Sequence, residues 1–388
     1  MSVPASVPAL VGGSGRRLNI VLVAPPYFEV PPSGYGGVET VVAHIANALV
    51  GRGHRVTLLG AGRPGTRARF VPVFDHTLAG VLGEPFPEIL YALKVRDAVT
   101  RIAAAERVDI VHDHTFAGPL NAPAYAALGA TTVVTVHGPV DGELGDYYRA
   151  LDHTDTAHLI AISDRQRRLA PDLDWVARVH NAIDPGDWPM VTRKQDWALF
   201  LGRYAPTKGA HLALDAAHTA GLPLVLAAKR NEPPEHHYFG TEIVPRLTGT
   251  DIIFGEADAV AKRLLLSHAR CLLFPICWEE PFGLVMIEAM ACGTPVVALR
   301  GGAVDEVIDH GVTGLICDHP DELPDALHAV RAIDPGQCRR RVEKLFSIDR
   351  LGSDYETTFH RLLAYRRISL GAIGRINGAP TWDLPERN

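Results

Sequence analysis

Two glutamates, Glu280 and Glu288, flank the start of a short helix that the stretch EEPFGLVMIEAMACG predicts. Pro281 suits the first turn of such a helix, because its φ is preset and its missing N–H would be unpaired there anyway. Gly293 ends the apolar helical pattern. The helix N-terminus should therefore present unpaired amides at the positive end of the helix dipole, where anions bind. We assign these amides to Phe282, Gly283 and Leu284.

Anion-binding amides with a carboxylate on each side suit a ligand that carries both phosphates and hydroxyls. Glu280 would lie at the mouth of this site, and Glu288 about 12 Å deeper along the helix axis. A nucleotide sugar is a ligand of this kind. A glutamate near a helix start also simply complements the helix dipole, so the spacing by itself leaves a structural role open.

Two cations, Arg203 and Lys208, follow the predicted strand Trp197–Leu201. Because the carboxyl ends of parallel strands form the ligand-binding edge of an open α/β sheet, both side chains should point into a cleft. Two cations fixed there would stabilise a diphosphate leaving group without a metal ion. Surface cations are often only solvated, so this pair alone leaves the function open.

The N-terminal half offers three further candidates at the same kind of edge. His137 follows the predicted strand Thr131–Val136, and we expect it to face a ligand. Gly36 and Gly37 precede a predicted helix and would let the backbone approach a phosphate, although a simple turn explains them equally well. These glycines do not spell GxGxxG, so the pattern speaks against a nicotinamide-dependent dehydrogenase.

The run His112–Asp113–His114 suggests a metal site at first sight. Neighbouring side chains of a strand point to opposite faces of the sheet, so these three could not all bind one ion. We therefore predict no metal site and no cofactor.

The elements that must position these residues form two series of alternating strands and helices, an α/β pattern. The first series begins with Leu18–Val23, and the second begins near Trp197; the polar stretch 180–189 separates them. Residues 61–87 read as a loop without a motif. A length of 388 residues also exceeds what one hydrophobic core usually supports, so two domains are expected.

The composition narrows the class of protein. Hydrophobic residues make up 47% of the chain and charged residues 21%, which is typical of a globular protein. The net charge of −6 gives no support for nucleic-acid binding. No apolar run is long enough for a transmembrane helix, and residues 1–17 lack the core of an export signal. Five cysteines without metal spacing favour a reduced, cytoplasmic protein.

These motifs in this order resemble the retaining glycosyltransferases of family 4 (glycosyl transferases group 1), which have a GT-B fold. The resemblance extends from about Leu18 to Tyr365. Its most specific part is E-x7-E at Glu280 and Glu288, followed by AMACGTPVVA and GGAVDEVIDHGVTGLI; GRYAPTKG comes next. The stretches GGVET, TVHGP and HNAID match more loosely, and Ala182 stands where the family often has glycine.

The resemblance implies two Rossmann-like domains that face each other across a cleft. The expected parts are a flexible N-terminus (1–17), an acceptor domain (18–185), a nucleotide-sugar domain (190–350), a helix that crosses back (351–365) and a tail (366–388).

The resemblance also implies a role for each site residue. Glu288 would hold the ribose, and Glu280 would hold the transferred sugar. Arg203, Lys208 and the amides at 282–284 would hold the diphosphate. His137 would approach the sugar from the other domain, while Gly36 and Gly37 would approach the phosphates.

The expected reaction is transfer of a hexose from a UDP- or GDP-linked sugar to a hydroxyl acceptor, without a metal and by front-face attack. The acceptor could be a glycan, a polyol or a glycolipid. A sugar-nucleotide epimerase, a phosphorylase and a non-catalytic nucleotide-sugar-binding protein are the alternatives. Peripheral membrane contact, the oligomeric state and the linkage formed stay open.

Overall fold

The computed structural model describes residues 16–376, apart from Tyr35, Gly83 and residues 153–155. In the last helix it describes side chains as far as Tyr365. Most of the predicted flexible N-terminus and the last twelve residues of the predicted tail, 377–388, lie outside this range. No helix within it is long and apolar enough to cross a membrane.

Within the described range, the N-terminal sheet has seven parallel strands in the order β3-β2-β1-β4-β5-β6-β7. The central strands are short apolar runs that are buried on both sides, as expected when helices cover both faces of a parallel sheet. The strand bounds are β1 Asn19–Val23, β2 Arg55–Ala61, β3 Arg69–Phe74, β4 Ile110–Asp113, β5 Thr131–Val136, β6 Ala157–Ala161 and β7 Trp175–Arg178.

The C-terminal sheet, as far as the structure describes it, has six parallel strands in the order β10-β9-β8-β11-β12-β13. The stretch 180–189 lies between the two sheets in the chain. The strand bounds are β8 Ala198–Arg203, β9 Leu224–Lys229, β10 Ile252–Ile253, β11 Cys271–Phe274, β12 Val296–Leu299 and β13 Gly314–Cys317. Two sheets of parallel strands confirm the predicted α/β class.

Helices cover both faces of each sheet. The helices that follow the N-terminal strands are α1 Gly37–Gly51, α2 Pro85–Ala105, α3 Ala122–Ala127, α4 Gly142–Asp152 and α5 Asp164–Leu169. Those of the second half are α6 Ala210–Thr219, α7 Pro233–Tyr238, α8 Ala259–His268, α9 Leu284–Ala291, α10 Val304–Val307, α11 Leu323–Ala329, α12 Pro335–Leu345 and α13 Ile348–Ile376. All five cysteines are free, and four of them are buried.

The prediction that residues 61–87 form a loop was wrong, because β3 lies within this stretch. Pro72 interrupts the apolar pattern of β3 and cannot donate a ladder hydrogen bond. It is tolerated because β3 is an edge strand, which among the described residues pairs only with β2.

The last helix, α13, returns to the N-terminal domain. Leu351, Tyr355 and Phe359 are fully buried in the cluster that also contains Ile45 and Leu49 of α1. Helix α13 begins three residues earlier than the predicted 351–365 and continues to Ile376, so 366–376 are helical and not part of a tail.

Removal of one side chain tests this packing. Phe359→Ala should lower the free energy of unfolding by about 3–5 kcal/mol, because it leaves a cavity in a fully buried cluster. Urea unfolding would measure the loss. Tyr365→Ala on the exposed side of the same helix is the control. Equal effects of the two substitutions would contradict the packing of α13 on α1.

Candidate active site

Lys208, Trp278 and Glu280 form one polar cluster at the carboxyl edge of the C-terminal sheet. Lys208 closes a short 3-10 turn after β8, while Trp278 and Glu280 lie between β11 and α9. The ammonium of Lys208 donates to Oε2 of Glu280, and Nε1 of Trp278 donates to the same oxygen at 2.9 Å. Lys208 also lies 4.8 Å from the centre of the Trp278 ring. The structure thus joins two predicted residues and adds Trp278, which the sequence did not single out.

Two glycines hold this cluster in place through close backbone contacts. A Cβ on Gly302 would overlap the backbone of Glu280, whose carbonyl accepts from the Ala303 amide at 3.0 Å. A Cβ on Gly209 would overlap the carbonyl of Pro275. Both glycines have positive φ, so a side chain would be strained there in any case. Gly209 and Gly302 therefore help to position Lys208 and Glu280 through these close backbone contacts.

Helix α9 begins later than predicted. Gly283 has a φ of 79°, which no residue of a right-handed helix adopts, so the helix can start only at Leu284. Pro281 and Phe282 precede the helix, and the expectation that Pro281 lies in its first turn was wrong. The Phe282 ring is buried against His180 and Phe346 at centroid distances of 5.7 and 5.9 Å.

Glu288 lies in the second turn of α9, about 6 Å along the axis from Leu284, the first residue of the helix. The predicted value of about 12 Å was a helical rise counted from Glu280, which lies before the helix. It is only 4% exposed, and its Oε1 accepts from Nζ of Lys262 at 2.7 Å. A buried carboxylate needs such a partner to remain charged. Lys262 on α8 carries no motif, so the sequence offered no signal for it.

Arg203 is the last residue of β8, whereas the prediction placed it in the following loop. Its guanidinium lies 3.8 Å from a carboxylate oxygen of Glu232 and 3.9 Å from one of Glu235. These acidic residues lie at the start of α7. Arg203 therefore has ion-pair partners different from that of Lys208.

Gly36 and Gly37 lie opposite α9, across the boundary between the domains. Gly36 precedes α1, and its carbonyl accepts from the amide of Thr40 at 3.0 Å. A Cβ on Gly37 would lie 3.8 Å from Cδ1 of Leu284. The two segments predicted to approach phosphates thus meet, although they are far apart in the sequence.

Glu39 in the first turn of α1 is a buried carboxyl beside these glycines, and the sequence reasoning missed it. Burial raises its pKa to about 7, although hydrogen bonds from the backbone of Glu39 and Phe28 oppose the shift. A Cβ on Gly36 would lie 3.3 Å from its Oε2.

His137 follows β5 and pairs with His114, which follows β4. Nε2 of His137 lies 2.8 Å from Nδ1 of His114. Burial lowers the pKa of His137 to about 4 and that of His114 well below its usual value. His112 stacks on His114 at 4.1 Å, while Asp113 points to the other face and accepts from the Thr115 amide at 2.9 Å.

A cleft lies between the two domains. Its lining includes the loop 138–141, which follows His137, and Glu280 from the opposite side. Arg165 on α5 bridges the cleft with two hydrogen bonds to Glu279, of 2.8 and 2.6 Å. The structure therefore places the loop after His137 and Glu280 on the two sides of one cleft.

Glu306 on α10 makes a second link between the domains. Its carboxylate accepts from the amides of Asp164 and Arg165 at 2.7 and 2.5 Å and bonds Nε2 of His180 at 2.9 Å. Burial raises its pKa, but these hydrogen bonds outweigh burial and hold the pKa below its usual value. Asp164, His180 and Glu306 have the spacing of metal ligands. Arg178 already supplies a cation, with Nη1 3.0 Å from His180 and Nε 3.4 Å from Asp164.

Comparison with known proteins decides the family. The model described as Glycosyltransferase Family 4 matches residues 35–187, and the model described as Glycosyl transferases group 1 matches residues 191–334. The chain belongs to glycosyltransferase family 4. It is therefore a glycosyltransferase, as the E-x7-E and GRYAPTKG motifs predicted.

Relatives of this family 4 glycosyltransferase differ in what their names say they act on. The chain is 26% identical to the N-acetyl-alpha-D-glucosaminyl L-malate synthase of Bacillus anthracis, over 84% of this chain and 94% of the relative. It is also 26% identical to a phosphatidyl-myo-inositol mannosyltransferase of Mycolicibacterium smegmatis, over 86% of this chain and 90% of the relative.

Solved structures confirm the GT-B architecture. A glycosyltransferase involved in avilamycin A biosynthesis is 27% identical and superposes with a TM-score of 0.69, covering 89% of this chain and 98% of its own. A sucrose-phosphate synthase from Thermosynechococcus elongatus, 17% identical, shares the fold with a TM-score of 0.74 and covers 90% of this chain and 100% of its own.

The raised pKa of Glu39 predicts a pH-dependent stability. The unfolded carboxyl has a pKa of 4.5 and the folded one about 7, so the folded state binds more protons between these values. The free energy of unfolding should therefore fall by roughly 3 kcal/mol as pH rises from about 4.5 through 7. Glu39→Gln removes this loss and should be more stable than the parent at pH 8.

Urea unfolding at pH 5 and pH 8 measures the effect. Glu84→Gln, an exposed glutamate of the same domain, is the matched control. If Glu39→Gln changed the free energy of unfolding by the same amount at pH 5 and at pH 8, Glu39 would not titrate in this range.

Proposed function

We propose that this enzyme transfers a hexose from a UDP- or GDP-linked sugar to a hydroxyl acceptor, with retention and without a metal ion. The observation that carries the proposal is the Lys208–Glu280 pair, which faces the loop after His137 across the cleft. An ammonium beside a carboxylate suits a donor whose diphosphate needs a cation and whose sugar needs a hydrogen-bond acceptor.

The diphosphate would bind at the start of α9. The late helix start favours the amides of Gly283 and Leu284 over that of Phe282. Gly37, which packs beside Leu284, would approach the phosphates from the other domain. The related Anabaena structure in complex with UDP and glucose, 17% identical over 89% of this chain with a TM-score of 0.70, supports a nucleotide sugar as the donor class.

Glu288 would accept hydrogen bonds from the ribose hydroxyls. Its ion pair with Lys262 gives the buried carboxylate a partner and orients it. Glu280 would accept hydrogen bonds from the hydroxyls of the transferred sugar, while Lys208 and Trp278 orient the Glu280 carboxylate. Neither glutamate is assigned as a nucleophile.

Breakage of the anomeric C–O bond leaves positive charge on the sugar and negative charge on the diphosphate. Lys208 would stabilise the diphosphate. Arg203 would be the second cation, and it could contact the diphosphate only by leaving Glu232 and Glu235. The acceptor oxygen would attack from the leaving-group side and lose its proton to a diphosphate oxygen, which preserves the anomeric configuration.

The acceptor would bind on the N-terminal side of the cleft, at the loop 138–141 and α4. Relatives are named for acceptors as different as malate and phosphatidyl-myo-inositol, so a glycan, a polyol and a glycolipid all fit the class. The five free cysteines support our assignment of the enzyme to the reducing cytoplasm.

Substitution of Lys208 tests the leaving-group assignment. Lys208→Ala should lower kcat by about 10²–10³-fold, because it removes a charge that stabilises the transition state. A panel of UDP- and GDP-sugars, scored by nucleoside-diphosphate release and by thermal shift, would first identify the donor and would then measure the loss. Chelation of divalent metals should leave the parent rate unchanged.

The exposed Lys344→Ala is the matched control and should keep the parent rate. Thermal melting would show whether the Lys208 variant is folded. Unchanged release by a folded Lys208→Ala enzyme would refute the assignment. Donor-dependent stabilisation without diphosphate release from any acceptor would instead favour a binding protein.

His114 would determine how His137 meets the sugar. Both rings are neutral because burial lowers their pKa, so a single proton lies between them. Nε2 of His114 is buried and has no hydrogen-bond partner among the described residues. A proton there would be an orphaned buried N–H, which is rarer in proteins than an unpaired acceptor. His114 therefore donates from Nδ1, and His137 carries its own proton on Nδ1.

This arrangement makes His137 a hydrogen-bond donor toward a sugar hydroxyl. His114→Leu removes the donor that orients it and should lower kcat/KM for the sugar nucleotide by about tenfold, whereas His114→Asn keeps an N–H near the position of Nδ1. ¹⁵N NMR of the imidazoles should show His137 protonated at Nδ1. Protonation at Nε2 would reverse the assigned direction of the hydrogen bond.

A further inference from the structure

A second group of charged side chains lies beside Lys208 at the carboxyl edge of the C-terminal sheet. Arg203 ends β8, Lys229 ends the neighbouring strand β9, and the two residues are direct partners in the strand register. The backbones of paired strands are about 5 Å apart, so two cations stand side by side at the edge where open α/β sheets bind ligands. Only Arg203 belongs to the GRYAPTKG motif.

One carboxylate, that of Glu232, lies against both cations. Nζ of Lys229 donates to Oε1 of Glu232, and Nη1 of Arg203 lies 3.8 Å from its Oε2. The hydrogen bond from Lys229, aided by the charges of both cations, holds the pKa of Glu232 below its usual value, although burial opposes the shift. Glu232 is therefore an anion that the two cations share.

The guanidinium of Arg203 faces carboxylates without a hydrogen bond to either. It lies 3.8 Å from Glu232 and 3.9 Å from Glu235, and it forms no hydrogen bond within the described part of the chain. A guanidinium has five N–H donors in a planar fork that matches a phosphate group. The donors of Arg203 are thus available to an anion that comes closer than these two carboxylates.

The loop after β9 meets the glycine-containing segment of the other domain. Nδ2 of Asn231 donates to Oε2 of Glu256 at 3.1 Å, and a Cβ on Gly34 would lie 3.7 Å from Oε1 of the same carboxylate. Gly37, in the same segment as Gly34, packs beside Leu284 at the start of α9. The N-terminal domain therefore contacts both the start of α9 and the loop after β9, which brings the two cations to the boundary where we propose that the diphosphate binds.

The carboxylates that pair with cations at this edge differ in exposure. The side chain of Glu232 is 42% exposed. The others are between 5% and 14% exposed, namely Glu235, Glu288 and Glu280. An exposed carboxylate loses little when it turns into water, whereas a buried one leaves an unpaired charge behind. Lys229 is only 7% exposed, so its ammonium needs a new anion when Glu232 leaves.

A diphosphate is an anion that fits this exchange. With Glu232 turned away, Lys229 and Arg203 carry two positive charges against the single charge of Glu235. Glu235 itself stays in place, because its Oε2 accepts from the Asn231 amide at 2.8 Å. Phosphate oxygens accept several charge-assisted hydrogen bonds at once, whereas Glu232 accepts a hydrogen bond from Lys229 but none from Arg203.

We propose that Lys229 is a third cation of the diphosphate site, and that Glu232 occupies the place of a diphosphate oxygen until the donor binds. This inference rests on the proposed function, since it requires a donor with a nucleoside diphosphate. In the bound state Lys229 would donate to a phosphate oxygen, while the Glu232 side chain would turn into solvent.

Titration calorimetry of the whole chain with UDP and GDP tests the role of Lys229. Lys229→Met keeps the apolar stem of the buried side chain and removes its charge. It should weaken binding of the diphosphate by about tenfold or more, because a hydrogen bond to a charged group is lost.

Glu232→Gln should have the opposite effect. It removes the internal anion, so the same nucleoside diphosphate should bind about threefold more tightly. If Glu232 acts by occupying Lys229, this gain should be smaller in the Lys229→Met background. A carboxylate with a purely structural role would give no gain.

Lys344→Met and Glu343→Gln are the matched controls, because both residues are exposed on α12. Each should bind the nucleotides as the parent does, and thermal melting without nucleotide would show whether each variant is folded. Equal binding by the parent and a folded Lys229→Met variant would overturn the proposal. Unchanged or weaker binding by Glu232→Gln, or a full gain without Lys229, would also overturn it.

The sign of the Glu232→Gln effect decides the matter if Lys229→Met does not fold. A parent that binds neither UDP nor GDP would refute the proposed donor class, and this inference with it. A parent that binds one of them, with Lys229→Met unaffected, would refute this inference alone.

Discussion

The contact between Gly302 and Glu280 is the constraint on which the rest of the candidate donor site depends. Because Gly302 has no side chain, the turn after β12 can approach the backbone of the segment that carries Glu280 and Trp278. That approach places the Glu280 carboxylate where Lys208 and Trp278 both donate to it. A mostly buried carboxylate with two donors is held in one orientation, which the proposed role of Glu280 in positioning a sugar requires.

The second requirement is that the two domains face each other in a defined arrangement. Leu284 is partly buried and packs against the apolar clusters of both domains, Arg165 pairs with Glu279, and Glu306 accepts from amides at the start of α5. Polar contacts between domains can exchange more readily than a buried apolar core. Close backbone contacts hold the candidate donor site within the C-terminal domain, whereas its distance from His137 depends on the contacts between the domains.

Much of the fold could be predicted from the sequence because parallel strands buried on both faces are short apolar runs between turn residues. The motif residues could be predicted as well, since Glu280, Lys208 and His137 all follow such runs. Strand β3 was not predicted because a proline such as Pro72 is tolerated only in an edge strand. Whether a strand lies at the edge depends on the order of strands in the sheet, which a local sequence pattern does not reveal. The start of α9 was predicted too early. Pro281 suits a helix N-terminus, but the positive φ of Gly283, which the sequence pattern did not reveal, decides where the helix begins.

The sequence by itself determined the two α/β series, the family resemblance and the residue types at the cleft, because these depend on local pattern and spacing. The tertiary structure alone decided which groups become partners. It paired Glu288 with Lys262, separated the ion pairs of Arg203 from that of Lys208, and placed His114 against His137. Such partners come from different βα units. Their contacts depend on the order of strands in the sheet and on close approach of the backbone, and a local sequence pattern determines neither.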